Sequence, residues 1–235
     1  MKKHIPNIIT CCNLLSGSVS VLFASHGYFT LAFLFILLGA FFDFFDGMSA
    51  RSLHVGQPIG KELDSLADDI TFGIAPAVML FSYVFPVVGW WALAALIMAA
   101  FSALRLAKFN LDERQTSSFI GLATPANAIF WASLTAYLNS ISFAPLWLCI
   151  TLLVFSFCSC YLLICELPFF SLKFHNLKWQ DNKVKYVFLI GATILLAATV
   201  ITAAFTDWQL LWSIGAIIII WYIMLCLCTI KAEQK

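Results

Sequence analysis

Asp43–Asp69 reads DFFDGMSARSLHVGQPIGKELDSLADD and holds six of the chain's 12 acidic residues. The sequence on both sides of it is apolar. The chain has 235 residues, 62% of them hydrophobic and 11% charged, with a mean hydropathy of +0.95. A soluble domain carries about 25% charged residues. No single soluble core hides this much apolar surface, so the bilayer must serve as solvent. The fold class expected is an all-α polytopic membrane protein.

Working outward from the acidic stretch, eight segments are long and apolar enough to span. They are about Ile5–Ala24, Phe29–Asp46, Ile70–Phe85, Gly89–Ala107, Pro125–Leu138, Ala144–Cys165, Tyr186–Ala204 and Trp208–Thr229. The breaks at Ser25–Gly27, Pro86–Gly89, Asn139–Ser142 and Thr206–Asp207 contain no Lys or Arg. All 13 basic residues lie at the other breaks, the adjoining helix ends and the termini. By the positive-inside rule those regions face the cytoplasm. An even number of spans puts both termini there, in agreement with Lys2, Lys3, Lys231 and Lys235. The basic start MKKHIPNIIT also has the form of a signal peptide. Its removal would leave an odd span count and upset the charge alternation, so it is read as the first span.

Asp43 and Asp46 are three apart at the end of the second span, and Asp64 and Asp68 are four apart leading into the third. Residues at these spacings share a helix face. The loop between the pairs lets the two helices pack side by side, so the four carboxylates converge. Four like charges in a partly desolvated place repel and need cations. Every candidate ligand is a hard oxygen, which suits Mg²⁺, Mn²⁺ or Ca²⁺ and disfavours zinc. Two divalent ions about 3.5–4 Å apart would balance the charge and could clamp the oxygens of a displacement at phosphorus. Gly47 and Gly60 allow close approach of a ligand or helix. Ala50 keeps a wall flat, and Arg51 could meet a phosphate or hold a carboxylate. Singly, any of these acids reads as a solvated helix-end group. Together they form D-x2-D-G-x2-A-R-x8-G-x3-D-x3-D, expected by chance on the order of 10⁻¹⁰ times per starting position. Glu62 and Asp69 lie outside the pattern, and Asp69 is read as a cap or supporting group. The eight cysteines show no metal or redox spacing and read as small apolar filler. His4, His26, His54 and His175 form no catalytic constellation.

This pattern, present here without departure, resembles that of the CDP-alcohol phosphotransferase family. The resemblance implies a membrane enzyme that transfers the phosphatidyl group of a CDP-linked lipid to an alcohol and releases CMP. It implies a six-helix catalytic core, two metal ions (Mn²⁺ or Mg²⁺) and a homodimer. It makes Asp43, Asp46 and Asp64 metal ligands, and Asp68 both a ligand and the general base. Gly47, Ala50, Arg51 and Gly60 then belong with the two leading aspartates to the CDP-lipid site. On this reading residues 1–167 are the core, and 168–235 add a cytoplasmic loop and a C-terminal helix pair.

The stretches IPNIITCCNLLSG (Ile5–Gly17), DSLADDITFGIAPA (Asp64–Ala77), LRLAKFN (Leu104–Asn110), FIGLATPANA (Phe119–Ala128) and LPFFSLKF (Leu167–Phe174) are similar to the bacterial, phosphatidylserine-forming branch of the family. That implies CDP-diacylglycerol and L-serine as substrates, in a bacterial inner membrane with the site facing the cytoplasm, and no nucleic-acid partner. Departures are Thr71 for Ser, Lys108 for Arg, and Ala123 and Asn127 around Pro125. Arg105 and Lys108, three apart, could share a face and meet the serine carboxylate, with Asn127 or Thr71 as substitutes. Helix-end cations are also what the positive-inside rule and helix dipole place there. The alternatives are transfer to glycerol 3-phosphate or inositol phosphate, which would ask for more Arg, and a divalent-cation transporter. A transporter's acids would lie nearer the bilayer middle.

Overall fold

A computed structural model describes residues 4–53, 55, 58–111, 118–170, 179–180 and 182–233. Lys2, Lys3, Lys235, His54 and His175 lie outside the described residues. The described chain is a bundle of α-helices with one short β-ribbon. Helix α1 (Ile5–Ser25) starts with Pro6 in its first turn, where the missing N–H costs no hydrogen bond. Its buried face is Pro6, Thr10, Asn13, Ser16, Gly17, Ser20 and Ala24, while Ile8, Leu15 and Leu22 are exposed. Small and polar residues inside with large apolar ones outside suit helices packed within lipid, where close backbone approach replaces the hydrophobic effect. Gly27, at φ +80°, turns the chain into α2 (Phe29–Leu53). The two helices run antiparallel, with Ser20 Oγ donating to Ala32 O at 2.8 Å.

Helix α3 (Pro58–Asp68) passes through one π-helical turn (Asp69–Ile74) into α4 (Ala75–Val88). The sequence places the start of this rod near Ile70. It begins at Pro58, so Asp64 and Asp68 lie on a regular helix. Gly89, at φ +59°, ends α4. A 3-10 stretch (Gly89–Leu96) then leads to α5 (Ile97–Leu111). The return is antiparallel, with Ser102 beside Gly73 and Asn110 Nδ2 donating to Ser65 Oγ at 2.7 Å.

Helices α6 (Thr124–Ser140), α7 (Leu146–Ile164), α8 (Lys183–Phe205) and α9 (Ile214–Glu233) complete the order. Among the described residues, six helical stretches have the length and hydropathy of a membrane span. One is the 54-residue Pro58–Leu111, which folds back at Gly89 and holds two of the eight expected spans. The 17-residue α6 is shorter than these six stretches and packs against α2, α4 and α9. Its Trp131 is fully buried and donates to Ser159 Oγ on α7 at 3.0 Å.

Strands β1 (Ser118–Ile120) and β2 (Pro168–Phe170) pair antiparallel, Phe119 opposite Phe169. This ribbon is absent from the all-helical expectation. Three-residue strands leave no periodic signature, and these two are joined only through α6 and α7. Gly121, at φ +75°, follows β1, and a Cβ there would lie 2.6 Å from Leu163 O.

Candidate active site

The site lies where α1, α2, α3 and α5 meet. Asp43 and Asp46 sit one turn apart on α2, and Asp64 and Asp68 one turn apart on α3. One oxygen each from Asp43, Asp64 and Asp68 lies within 4.8 Å of the others. Asp46 is outside that trio. It is buried, and its Oδ2 accepts a 2.6 Å hydrogen bond from Thr10 Oγ1. Asp68 Oδ1 accepts from Asn13 Nδ2 at 3.1 Å. Helix α1 therefore holds one acid from each pair.

Two cavities flank the acids and share Asp46, Gly47 and Asp64. The smaller, about 250 Å³, is walled by Asn7, Thr10, Ala50, Gly60 and Lys61. The larger, about 410 Å³, holds Asp43, Asp68, Arg51, Ser65, Arg105 and Asn110, and is closed by Ala123 and Pro125. Gly60 faces Asn7, whose Oδ1 would be 3.2 Å from an added Cβ. Arg51 is exposed and its guanidinium lies beside Gly47.

The four residues expected to meet an acceptor are not brought together. Arg105 is only 7% exposed although cationic, and lines the larger cavity with Asp68. Its Nη1 donates to Thr124 Oγ1 at 2.7 Å, and its Nε is buried with no partner. Lys108, one turn on, is exposed and does not line this cavity. Thr71 is fully buried, wedged against Gly17 and Gly39, and donates to Asn13 O at 3.1 Å. A Cβ on Gly17 would come within 2.7 Å of the Thr71 backbone, so glycine lets α1 close on the π turn. Asn127 is buried with its Oδ1 unpartnered and does not line this cavity. Asp69 turns away from the trio to face Ser102 across Gly73.

Thr10, Asn13 and Thr124 were not singled out from sequence. Thr10 and Asn13 carried a signal in the polar and small stripe Thr10, Asn13, Ser16, Gly17, Ser20 on an otherwise apolar span. Thr124 carried none beyond its place ahead of Pro125.

The acids fit a divalent cation. Their donors are all carboxylate oxygens, three of them mutually close. Asp64 Oδ1 is buried without a hydrogen-bond partner, an expensive state for a carboxylate unless a cation meets it.

The sequence profile described as CDP-alcohol phosphatidyltransferase matches residues 3–157. The chain belongs to the CDP-alcohol phosphatidyltransferase family. A Bacillus subtilis relative named CDP-diacylglycerol–serine O-phosphatidyltransferase is 35% identical over 176 residues, covering 74% of this chain and 93% of that protein. A Helicobacter pylori relative of the same name is 36% identical over 129 residues, 53% of this chain and 54% of its own. An archaetidylserine synthase of Methanothermobacter thermautotrophicus is 30% identical over 159 residues, 65% of this chain and 67% of its own. CDP-alcohol phosphatidyltransferases depend on divalent metal, and the trio is where this chain could hold it. The profile ends inside α7, so α8 and α9 lie beyond the family match.

Proposed function

We propose that this protein transfers the phosphatidyl group of CDP-diacylglycerol to the hydroxyl of L-serine, giving phosphatidylserine and CMP. The observation that carries this is a buried arginine facing three close carboxylates in one cavity. The activity named for the Bacillus and Helicobacter relatives supports serine as acceptor. A phosphate-bearing acceptor would call for more cations than Arg51 and Arg105, the two that line the larger cavity among the described residues.

Asp43, Asp46, Asp64 and Asp68 would hold two divalent ions, Mn²⁺ or Mg²⁺. When bound, these would neutralise the pyrophosphate and the charge growing on CMP. Gly47, Ala50 and Gly60 leave the smaller cavity open for the cytidine and ribose, with Arg51 at the phosphates. Arg105 receives the serine carboxylate and sets the hydroxyl toward Asp68. The serine oxygen bonds to the phosphorus bearing diacylglycerol as the bond to CMP breaks. Its proton passes to Asp68 during attack, since a carboxylate is too weak a base to form free alkoxide first. Residues 1–167 form the catalytic core, 168–235 an added membrane segment, and two copies a homodimer. The site faces the cytoplasm of a bacterial inner membrane, as the Lys and Arg distribution supports.

An acceptor screen tests the reaction. Purified protein with CDP-diacylglycerol and metal is expected to release CMP and form phosphatidylserine only when L-serine is added. Equal release with glycerol 3-phosphate or inositol phosphate would overturn serine as the acceptor. Arg105→Lys tests the acceptor site. A guanidinium can grip a carboxylate with two hydrogen bonds that an ammonium cannot copy. The KM for serine is expected to rise about tenfold, near 1.4 kcal/mol, for loss of one charge-assisted bond. Binding of CDP-diacylglycerol should stay near wild type. An unchanged serine KM would move the carboxylate site elsewhere.

A further inference from the structure

We propose that a separate apolar cavity between α6, β2, α8 and α9 takes one acyl chain of the CDP-lipid, an assignment that rests on the reaction above. The cavity is about 250 Å³ and is lined by Ala126, Ile129, Phe170, Phe188, Ile219 and Tyr222. It shares two further wall residues, Ala123 and Pro125, with the larger acidic cavity. The first turn of α6 is therefore a partition with carboxylates on one side and hydrocarbon on the other. A ligand that places a pyrophosphate at the acids and its glycerol at this partition must send its chains onto apolar surface. The cavity supplies that surface next to the partition.

Its lining presents little competing polarity. The Tyr222 hydroxyl is committed, donating to Phe170 O at 2.9 Å. The aromatic rings brace one another, with centroids 4.9 Å apart for Phe170 and Tyr222 and 5.7 Å for Phe188 and Tyr222. Phe188 and Tyr222, with Phe170 packed on them, belong to a second hydrophobic cluster, while Ile129 and Ile219 belong to the main core. Helix α9 is held on α6 at Gly215, where a Cβ would come within 2.8 Å of Ser133 and 2.9 Å of Ile129. A wall braced in this way is preformed, as ligand pockets usually are. The assignment also gives work to α8 and α9, which the family profile does not reach. Among the described residues, none from α8 or α9 lines the acidic cavities.

Ala126→Phe and Ile219→Phe fill the cavity from opposite walls, and neither residue lines the acidic cavities. The readout is the ratio of kcat/KM for CDP-dioleoylglycerol to that for CDP-dihexanoylglycerol, whose six-carbon chains bury much less apolar surface. In either variant the ratio is expected to fall about tenfold, the scale of size discrimination in an apolar pocket. The serine KM should not move, and Phe188→Ala, which enlarges the cavity, should not lower the ratio. An unchanged ratio in both filled variants overturns the proposal, and so does an equal loss on both lipids. Wild-type protein that forms no phosphatidylserine from either lipid would instead sink the transferase reading.

Discussion

Asp64→Asn is expected to lower kcat/KM by roughly a hundred- to a thousandfold, the scale seen when one preorganised electrostatic partner is removed from a site. The side chain keeps its shape and loses its charge. Asp64 lines both acidic cavities, is one of the three close carboxylates, and has a buried oxygen with no protein partner. A cation is the group best able to meet that oxygen, so its loss falls on metal and pyrophosphate binding together. Asp43→Asn should behave alike, for it too belongs to the trio. Asp46→Asn should also inactivate, and it disturbs the hydrogen bond from Thr10 as well. Stability should respond in the opposite sense to activity. Without metal the cluster is a set of like charges held together, so removing one relieves repulsion. The Tm of metal-free Asp64→Asn is therefore expected at or above that of metal-free wild type. Chelation with EDTA should abolish wild-type activity, and Mn²⁺ or Mg²⁺ should restore it. Full turnover in chelator would overturn the metal-dependent mechanism.

The aspartates could be read from sequence because helical spacing alone puts each pair on one face, and the stretch between the pairs is long enough for their helices to lie side by side. The spans were legible for a cruder reason, since apolar length suffices in lipid. The start of α3 was hidden because Pro58–Asp68 is polar and amphipathic, and apolar length cannot see such a helix. Arg105 and Lys108 show where spacing misleads. Three residues on a helix leave an offset of about 60°, near enough to be neighbours. The edge of the buried face falls between them, so Arg105 turns into the cavity and Lys108 out of it. No count of residues along one helix locates that edge, which is set by the elements packed on α5. Thr71 lies away from the larger cavity for a similar reason. Its hydroxyl is spent on Asn13 O, its methyl is what Gly39 makes room for, and Gly17 gives way to its hydroxyl and backbone. The support that Thr10 and Asn13 give the acids depends on how α1 lies across α2 and α3, a tertiary fact.

Asp68→Asn is expected to lower kcat by about 10²- to 10⁴-fold, the range a general base contributes, with affinity for CDP-diacylglycerol changed far less. Asn13 donates to Asp68 Oδ1, which fixes the carboxylate and leaves its second oxygen for the cavity it lines with Arg105. An acceptor held by Arg105 through its carboxylate would present its hydroxyl to that oxygen. Asparagine can still offer a carbonyl oxygen to a cation and can still meet Asn13, but it cannot take a proton. Asp68 also belongs to the carboxylate trio, so the variant should bind metal more weakly. Metal titration separates the two effects. Activity lost through weakened coordination returns as Mn²⁺ or Mg²⁺ is raised, whereas activity lost with the base does not. Single-turnover CMP release at saturating metal, beside a direct measurement of CDP-diacylglycerol binding, isolates the chemical step. A kcat near wild type under those conditions would rule out Asp68 as the group that accepts the serine proton and leave it a metal ligand alone.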